Sequence, residues 1–324
     1  MINFEKAQKI VNSEIPALTL KREPTELYDP VKYILSIGGK RIRPAMVLMA
    51  CSLFSNQVSH AVRCALAVEV FHNFTLLHDD IMDNSELRRN KPTVHEKWNR
   101  NVAILSGDVM SILSYSLIGE CPREYLAKVL ELFTDTALKV CEGQQFDMNF
   151  ETSNNISIGD YLKMITLKTA VLMAASLKLG AILGGARPAD SYLMYEFGKN
   201  IGIAFQLRDD ILDAYGDTRK FGKKIGADIA ANKKTYLILK AIETADEKSR
   251  KKLNTLISSK GGDIEGKIAE VIRIFDRLGI KEKAEAKSWE FYNAGIHALD
   301  QVSVNDSEKG ALRELARQLL ERER

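Results

Sequence analysis

Two short segments of the chain carry the same pattern of carboxylates. They are LLHDDIMD at Leu76–Asp83 and QLRDDILD at Gln206–Asp213, and both contain Leu-x-Asp-Asp-Ile-x-Asp. On a helix, residues i and i+4 share a face, so Asp79 and Asp83 point the same way while Asp80 is turned by about 100°. Two ionised carboxylates about 4 Å apart repel by roughly 4 kcal/mol at an effective dielectric constant of 20. A folded protein tolerates this only where the charges are solvated, protonated or neutralised by cations.

Clustered carboxylates on one helix face offer hard oxygen ligands. Mg²⁺ suits them because it takes few protein carboxylates and fills its other positions with water or substrate phosphate. The second segment repeats the arrangement with Asp209, Asp210 and Asp213. One segment alone is as readily a solvated helix end, but two copies on apolar helices favour metal binding. If the two helices face each other across a cavity, they form a clamp for divalent metal ions.

Basic residues lie beside predicted loops and helix ends, and phosphate is bound by Arg and Lys as well as by metals. Arg88 and Arg89 follow closely after Asp83 and are the most persuasive, whereas each of the others alone is more often a surface charge. The chain has no GxxxxGK[ST] phosphate loop, so nucleotide hydrolysis is not indicated. The other basic residues of interest are Lys40, Arg41, Arg43, Lys91, Lys168, Arg208, Lys223, Lys224, Lys233 and Lys234.

The elements that must position these residues read as helices. Apolar residues recur at three- and four-residue spacing, as in YLAKVLELFTDTALKVC and YLKMITLKTAVLMAASLKLGAIL, which we read as long helices. The 324 residues include only seven prolines, and strand-like alternation is rare. No segment looks like a disordered linker. We therefore expect one all-α domain over residues 1–324, a single large helical bundle.

Charge, cysteines and hydropathy limit the partners and the compartment. A net charge of +3 without interleaved aromatic and basic residues argues against a nucleic-acid binder. The four cysteines form no CxxC pair and read as reduced thiols, which favours a reducing compartment. The N-terminus lacks the layout of a signal peptide, and no window reaches about 18 uninterrupted apolar residues. We expect a soluble, cytoplasmic protein without a membrane span.

Taken together, the motifs resemble those of the trans-isoprenyl diphosphate synthases, or polyprenyl synthetases. GGKRIRP, EVFHNFTLLHDDIMDNSELRRNKPTVH, EGQQFDMNFE, YLKMITLKTAVL, FQLRDDILDAYGD and FGKKIGADIAANKKT occur in the order and spacing of that family, over nearly the whole chain. The resemblance implies the isoprenoid synthase fold, an all-α bundle around a deep central cavity, and a homodimer. It also implies an Mg²⁺-dependent head-to-tail condensation of isopentenyl diphosphate with dimethylallyl, geranyl or farnesyl diphosphate, with several Mg²⁺ ions in each active site.

The resemblance assigns metal binding to the aspartates. Asp79 and Asp83, with Asp80 in support, hold Mg²⁺ that bridges to the allylic diphosphate. On the opposite wall Asp209 takes a further Mg²⁺. Asp210 and Asp213 act there more indirectly, although we count Asp213 among the metal-site residues.

The resemblance also assigns the substrate contacts. The residues expected to hold the allylic diphosphate are Arg88, Lys168 and Lys223, with Lys233 assisting. Those expected to hold the diphosphate of isopentenyl diphosphate are Lys40, Arg43, His72 and Arg89. Those expected to line the reacting centre are Gln144, Asp147, Thr169 and Gln206. In the family mechanism the departed diphosphate accepts the final proton, which fits the absence of a convincing His or Glu general base in the sequence.

The helix leading into Asp79 must also wall the cavity that receives the growing chain. In the family, bulk four and five residues before the first aspartate limits product length. Phe74 is large and Thr75 modest, and Phe71 lies one turn deeper, so we expect a product of fifteen to twenty carbons, with the longer favoured. Two alternatives stay open: Phe74 packs only between helices, or Ile112 or Tyr115 on a neighbouring helix sets the floor.

Other readings fit less well. A terpene cyclase or head-to-head synthase usually lacks two full DDxxD motifs together with GGKRIRP. A non-catalytic partner subunit of a heteromeric synthase would be expected to lose aspartates or arginines that this chain keeps, and a longer-chain polyprenyl diphosphate synthase remains an alternative. One departure is Asn90, where many members have glycine. This loop is therefore expected to need a left-handed conformation, which asparagine tolerates better than most residues.

Overall fold

A computed structural model describes residues 1–18, 20, 22–153, 155–216, 226–259 and 261–321. These residues are mostly helical, and the strands among them form one short hairpin. The all-α class predicted from the apolar spacing is therefore confirmed.

The chain divides into two compact units. The first comprises Met1–Asp135, Ala175–Tyr195 and Gln301–Leu312. The second comprises Thr136–Ala174, Glu196–Asp300 and Arg313–Arg324. The single domain expected over residues 1–324 stays a prediction.

The first unit centres on a long helix, α4 (Ser59–Met82), which packs against α3 (Ile42–Phe54) and α6 (Arg100–Gly119). Nearly every face of α4 is buried over Ala61–Phe71, as its mostly apolar sequence predicts. The helix α6 begins where the Asn99 side chain accepts a hydrogen bond from the Val102 N–H at 2.9 Å. The α-helices of this part of the chain are α1 (Phe4–Glu14), α2 (Thr25–Ser36), α3 (Ile42–Phe54), α4 (Ser59–Met82), α5 (Val94–Lys97), α6 (Arg100–Gly119) and α7 (Arg123–Thr152). Its strands are β1 (Leu87–Arg88) and β2 (Lys91–Pro92), and its 3₁₀ helices are Ile15–Ala17 and Asp306–Lys309.

The second unit takes the C-terminal part of α7 and most of the later helices. Ser157 and Asp160 form a reciprocal capping box that starts α8 (Ile158–Ile165). Gly279 ends α14 (Ile264–Leu278) in a left-handed conformation. The later elements are α8 (Ile158–Ile165), a π-helical turn (Thr166–Ala170), α9 (Val171–Leu183), α10 (Pro188–Tyr215), α11 (Ala227–Ala230), α12 (Tyr236–Thr244), α13 (Glu247–Ser258), α14 (Ile264–Leu278), α15 (Ile280–Asp300) and α16 (Gly310–Glu321).

Two helical stretches are long and apolar enough to cross a membrane by length and composition. They are Arg100–Gly119 and Ile158–Leu183, and 39% and 72% of their most apolar windows are buried. Core helices of soluble proteins have the same features, so these two stretches are weak evidence for a membrane span.

Candidate active site

The first aspartate segment ends α4. Asp79 and Asp80 lie in its last turn, and the Asp83 N–H donates to the Asp79 carbonyl at 2.9 Å where the helix stops. The three carboxylates differ in exposure. The Asp80 side chain is 3% exposed, the Asp79 side chain is 21% exposed, and Asp83 is exposed. Asp79 and Asp83 are therefore the two that solvent and ligands can reach.

Arg88 neutralises the buried carboxylate. Its Nε and Nη2 donate to the two oxygens of Asp80, both at 2.7 Å, in a bidentate ion pair. The same Nη2 lies 3.7 Å from Asp79. Burial leaves the pKa of Asp80 above its ordinary value, although the Arg88 guanidinium opposes the rise. Arg88 is thereby held beside the more exposed Asp79.

A tight hairpin delivers Arg88 to this position. Residue pairs Leu87–Pro92 and Arg88–Lys91 form the antiparallel ladder. The two turn residues, Arg89 and Asn90, have φ of 52° and 59°, the positive values that a type I′ turn requires. The left-handed conformation predicted at Asn90 is confirmed, and Arg89 shares it.

A second group of cations lies in the same unit. Arg43 Nη1 is 3.1 Å from His72 Nε2, and the Arg89 guanidinium lies so close to Gly39 that a Cβ there would be 2.6 Å from Arg89 Nη1. Burial and the neighbouring arginines, Arg43 first, hold the pKa of His72 well below its ordinary value. His72 is therefore neutral and can accept from Arg43. The structure thus brings together Arg43, His72 and Arg89, with Lys40 in the turn that precedes Arg43.

In the second unit a cavity of about 120 Å³ collects six of the residues with a predicted role in the site. These are Asp147, Lys168, Thr169, Gln206, Asp210 and Lys233. The other lining residues are Tyr161, Met164, Ile165, Asp228, Lys234 and Thr235. The wall therefore combines ammonium groups, carboxylates and neutral dipoles.

Hydrogen bonds order the cavity wall. Lys168 Nζ donates to Asp147 Oδ2 at 2.6 Å. The Thr169 hydroxyl donates to Gln206 Oε1 at 3.2 Å, and Gln206 Nε2 donates to Asp210 Oδ1 at 3.2 Å. The Gln206 amide is therefore fixed at both ends.

Asp210 is the buried anchor of this chain of hydrogen bonds. It also accepts from the Tyr161 hydroxyl at 2.5 Å and from the Tyr236 N–H at 3.4 Å. Burial, with a contribution from the Asp228 charge, raises the pKa of Asp210 to about 7. The buried Asp210 carboxyl thereby orients the Gln206 side chain.

Three further predicted residues of this unit, Asp209, Asp213 and Gln144, do not line this cavity. Asp213 Oδ2 accepts the Asp228 N–H at 3.0 Å, so one of its oxygens caps α11. Asp209 and Gln144 are partly exposed on α10 and α7. Lys223 lies outside the described residues.

The comparisons with known proteins decide the family. The family model described as polyprenyl synthetase matches residues 24–275. The chain belongs to the polyprenyl synthetase family. It is therefore a trans-prenyltransferase, and the family resemblance seen in its motifs is confirmed.

Relatives and solved structures match this polyprenyl synthetase over almost its whole length. A short chain isoprenyl diphosphate synthase from Methanothermobacter thermautotrophicus is 37% identical and covers 98% of this chain and 96% of its own. A geranylgeranyl diphosphate synthase from Sulfolobus acidocaldarius is 36% identical, with 95% of both chains covered. A crystal structure of a geranylgeranyl pyrophosphate synthase superposes with a TM-score of 0.95 at 40% identity, covering 99% of both chains. The fold is thus the isoprenoid synthase fold.

One element of the synthetase site departs from the sequence reading. The segment YLKMITLKTAVLMAASLKLGAIL was expected to be one long helix, but a π-helical turn holds Lys168 and Thr169, and the Val171 N–H bonds the Thr166 carbonyl. Gly143 of α7 lies against this turn, since a Cβ there would be 2.2 Å from the Lys168 nitrogen. Such turns occur frequently at functional sites. Here it places Lys168 and Thr169, which are consecutive, on the cavity wall together.

The residues proposed to limit product length lie in an aromatic cluster. Phe71 is 2% exposed, and its ring centroid is 5.5 Å from that of Phe74 and 5.3 Å from that of Phe133. Tyr115 joins through Phe133 at 5.1 Å, whereas Ile112 is 70% exposed. Of the two alternative floor residues, Tyr115 therefore belongs to the cluster and Ile112 lies at the surface of its unit.

Sequence reasoning missed several residues of the synthetase. Tyr161 lies seven residues before Lys168, two helical turns, and that spacing was a usable signal for a shared face. Asp228 gave no comparable signal. Arg208, counted among the basic residues, bonds Glu285 of α15 at 3.4 Å and does not line the cavity.

Proposed function

We propose that this synthetase joins isopentenyl diphosphate head-to-tail to an allylic diphosphate, with Mg²⁺, and releases diphosphate. The product proposed is geranylgeranyl diphosphate. The observation that carries the proposal is the cavity in which Lys168, Lys233, Thr169 and Gln206 converge. Cationic side chains suit a departing diphosphate, and neutral oxygen dipoles suit an allylic cation without trapping it. The names of the two relatives agree with this chemistry.

The residues fit Mg²⁺. Among the described residues, no three His, Cys, Asp or Glu side chains form a metal cage by themselves. Asp79 and Asp83 present oxygen ligands one turn apart, and the Asp80 charge between them is already compensated by Arg88. We assign Asp79 and Asp83 to one such site and Asp209, with Asp213, to another. When bound, Mg²⁺ would neutralise the charge that develops on the leaving diphosphate.

The protein's own groups perform the other steps. Arg88 and Lys168, with Lys223 and Lys233, hold the allylic diphosphate. Lys40, Arg43, His72 and Arg89 hold the diphosphate of isopentenyl diphosphate. The oxygens of Thr169 and Gln206 stabilise the cation, with Gln144 and Asp147 beside them. The final proton passes to the released diphosphate.

The Phe71–Phe74 pair supports a product of twenty carbons. Both rings belong to the aromatic cluster in the last three turns of α4 before Asp79, and Thr75 adds less bulk. The Thr75 hydroxyl is turned to the His72 carbonyl at 2.8 Å. We assign the limit on chain length to Phe74 rather than to Phe71.

Phe74→Ala is expected to lengthen the product. Phe74 is partly buried, and its ring packs against that of Phe71. The volume opened by the substitution therefore adjoins the rest of the aromatic cluster. Products with one or more additional five-carbon units should appear on chromatography under conditions where the wild type stops. Tyr192→Ala, which removes an aromatic side chain that is 58% exposed, is the control and should keep the wild-type distribution. An unchanged distribution for Phe74→Ala would place the floor elsewhere.

A second copy of this chain is the partner we propose. On α6, Ile104, Leu105 and Ile112 are 40%, 58% and 70% exposed, an apolar face that a globular protein rarely leaves in water. A homodimer would cover it. A solution mass twice that of the 36.3 kDa chain is the result to look for.

The proposed function is tested with purified protein, Mg²⁺, isopentenyl diphosphate and each allylic primer in turn. Geranylgeranyl diphosphate should accumulate, and excess EDTA should abolish turnover. Turnover that survives excess EDTA would contradict the metal assignment. A folded chain that is inactive with every primer would indicate a non-catalytic subunit, and much longer products would indicate a longer-chain synthase.

A further inference from the structure

A buried ion pair lies beneath the arginines assigned to isopentenyl diphosphate. Arg41 and Glu69 are 6% and 3% exposed, and Arg41 Nη1 donates to Glu69 Oε1. Neither residue is among those that we propose to touch a substrate. A buried pair of this kind is weak evidence for stability, because desolvation of both charges offsets their attraction. Its role is better sought in what it holds in place.

The Arg41 guanidinium joins three helices. Its Nη2 donates to the Leu35 carbonyl near the end of α2 at 2.8 Å, and its Nε donates to Asn12 Oδ1 of α1 at 3.3 Å. Through Glu69 it also reaches α4. Contacts from three different helices therefore fix the position of the Arg41 guanidinium.

Asn73 holds the same oxygen of the Glu69 carboxylate that Arg41 contacts. Its Nδ2 donates to the Glu69 carboxylate at 2.9 Å and to the Glu69 carbonyl at 2.8 Å. Asn73 is 1% exposed, and within the described residues its Oδ1 has no hydrogen-bond partner. The amide therefore acts here as a donor to Glu69.

The anchored side chain belongs to a strained turn. Gly38, Gly39 and Arg41 all have positive φ, of 90°, 139° and 52°. A non-glycine residue in this conformation persists where its surroundings hold it. Arg41 immediately precedes α3, whose first turn carries Arg43. The same turn presents Gly39 to the Arg89 guanidinium.

Glu69 also offsets repulsion among the cations. Burial lowers the pKa of Arg43 to about 10, the Glu69 charge opposes this, and the Arg89 charge adds to it. Burial lowers the pKa of Arg89 as well, again opposed by Glu69. The carboxylate therefore offsets the repulsion between Arg43 and Arg89 and favours keeping them close together before any anion arrives.

We propose that Glu69, acting through Arg41, is a positioning residue for the isopentenyl diphosphate site. It holds the Gly38–Arg43 turn so that Arg43, His72 and Arg89 are assembled before the diphosphate binds. The inference rests on the proposed function, which assigns those three residues to that substrate. Positioning and bulk charge predict opposite signs: loss of a nearby negative charge alone would strengthen anion binding, whereas loss of positioning weakens it.

Glu69→Gln in the full-length chain tests the proposal. The KM for isopentenyl diphosphate should rise about tenfold or more, while kcat and the KM for the allylic substrate change less than about threefold. Glu120→Gln is the matched control, since it breaks the exposed 3.0 Å pair with Arg63 at the other end of α4. A folded Glu69→Gln variant whose KM for isopentenyl diphosphate is unchanged or lower would overturn the inference.

Asn73→Ala keeps the test decisive if Glu69→Gln does not fold. This substitution removes the amide that holds the carboxylate but leaves both charges of the pair. It should raise the KM for isopentenyl diphosphate selectively, and stabilisation of the protein by inorganic diphosphate in thermal unfolding should decrease in parallel. An unchanged KM in Asn73→Ala would also overturn the inference. A wild-type chain without turnover would overturn the proposed function instead, so the two failures are distinguishable.

Discussion

Asp79→Ala is expected to lower kcat/KM by about three orders of magnitude or more, because it removes a carboxylate proposed to hold Mg²⁺ at the leaving diphosphate. The fold should survive. The Asp79 side chain is 21% exposed, and the Arg88 Nη2 atom is 3.7 Å away, beyond hydrogen-bond distance. Arg88 keeps its bidentate pair with Asp80, so the variant leaves the buried Asp80 carboxylate paired.

Thermal unfolding and steady-state kinetics together check this expectation. Asp29→Ala is a matched control, since it breaks an exposed 2.8 Å pair with Lys32 and should keep the wild-type rate. A variant at Asp79 that retains more than about a tenth of wild-type kcat/KM would remove Asp79 from the metal site. A variant that unfolds would instead assign the residue to stability.

The sequence was sufficient to place the first aspartates on one face of a helix, but not to show which of them is buried. Spacing placed Asp79 and Asp83 on one face of a helix, and the structure has both at the end of α4. That Asp80 is buried against Arg88 depends on a hairpin whose turn needs two positive φ values. The asparagine at position 90 indicated this turn. The same left-handed conformation at Arg89 could not be predicted, because arginine has no preference for it.

The long helix predicted through Lys168 illustrates a different gap. Apolar periodicity reports which face of a segment is buried, and a π-helical turn of five residues shifts that face without breaking the pattern. The close approach of Gly143 to the Lys168 backbone is a tertiary contact between two helices. No residue pattern within YLKMITLKT predicts this contact.

Buried polar pairs were the part of the structure that the sequence predicted least well. Arg41 was visible only as one of several cations in GGKRIRP, and Glu69 only as an acid within an apolar helix. Their pairing joins residues from α3's start and the middle of α4, and its partners come from α1 and α2. A sequence pattern within one element cannot encode such a contact.

Lys168→Met is the second substitution with a large expected effect. It should lower kcat/KM by about two to three orders of magnitude, because a charged donor to the leaving diphosphate is lost. The same change leaves Asp147, 25% exposed, without its 2.6 Å partner on the cavity wall. Its carboxylate would then repel the incoming diphosphate, which adds to the loss.

The double variant Lys168→Met/Asp147→Asn separates these two causes. If Asp147 only repels the substrate once Lys168 is gone, neutralising it should recover part of the affinity for the allylic diphosphate but not kcat. In the wild type, Asp147 holds the Lys168 ammonium in place until phosphate competes for it, and the partial exposure of both groups makes that exchange inexpensive. Kinetics with the allylic substrate varied would show KM returning toward the wild-type value while kcat stays low. Full recovery of kcat in the double variant would mean that Lys168 serves to mask Asp147 rather than to stabilise the leaving group.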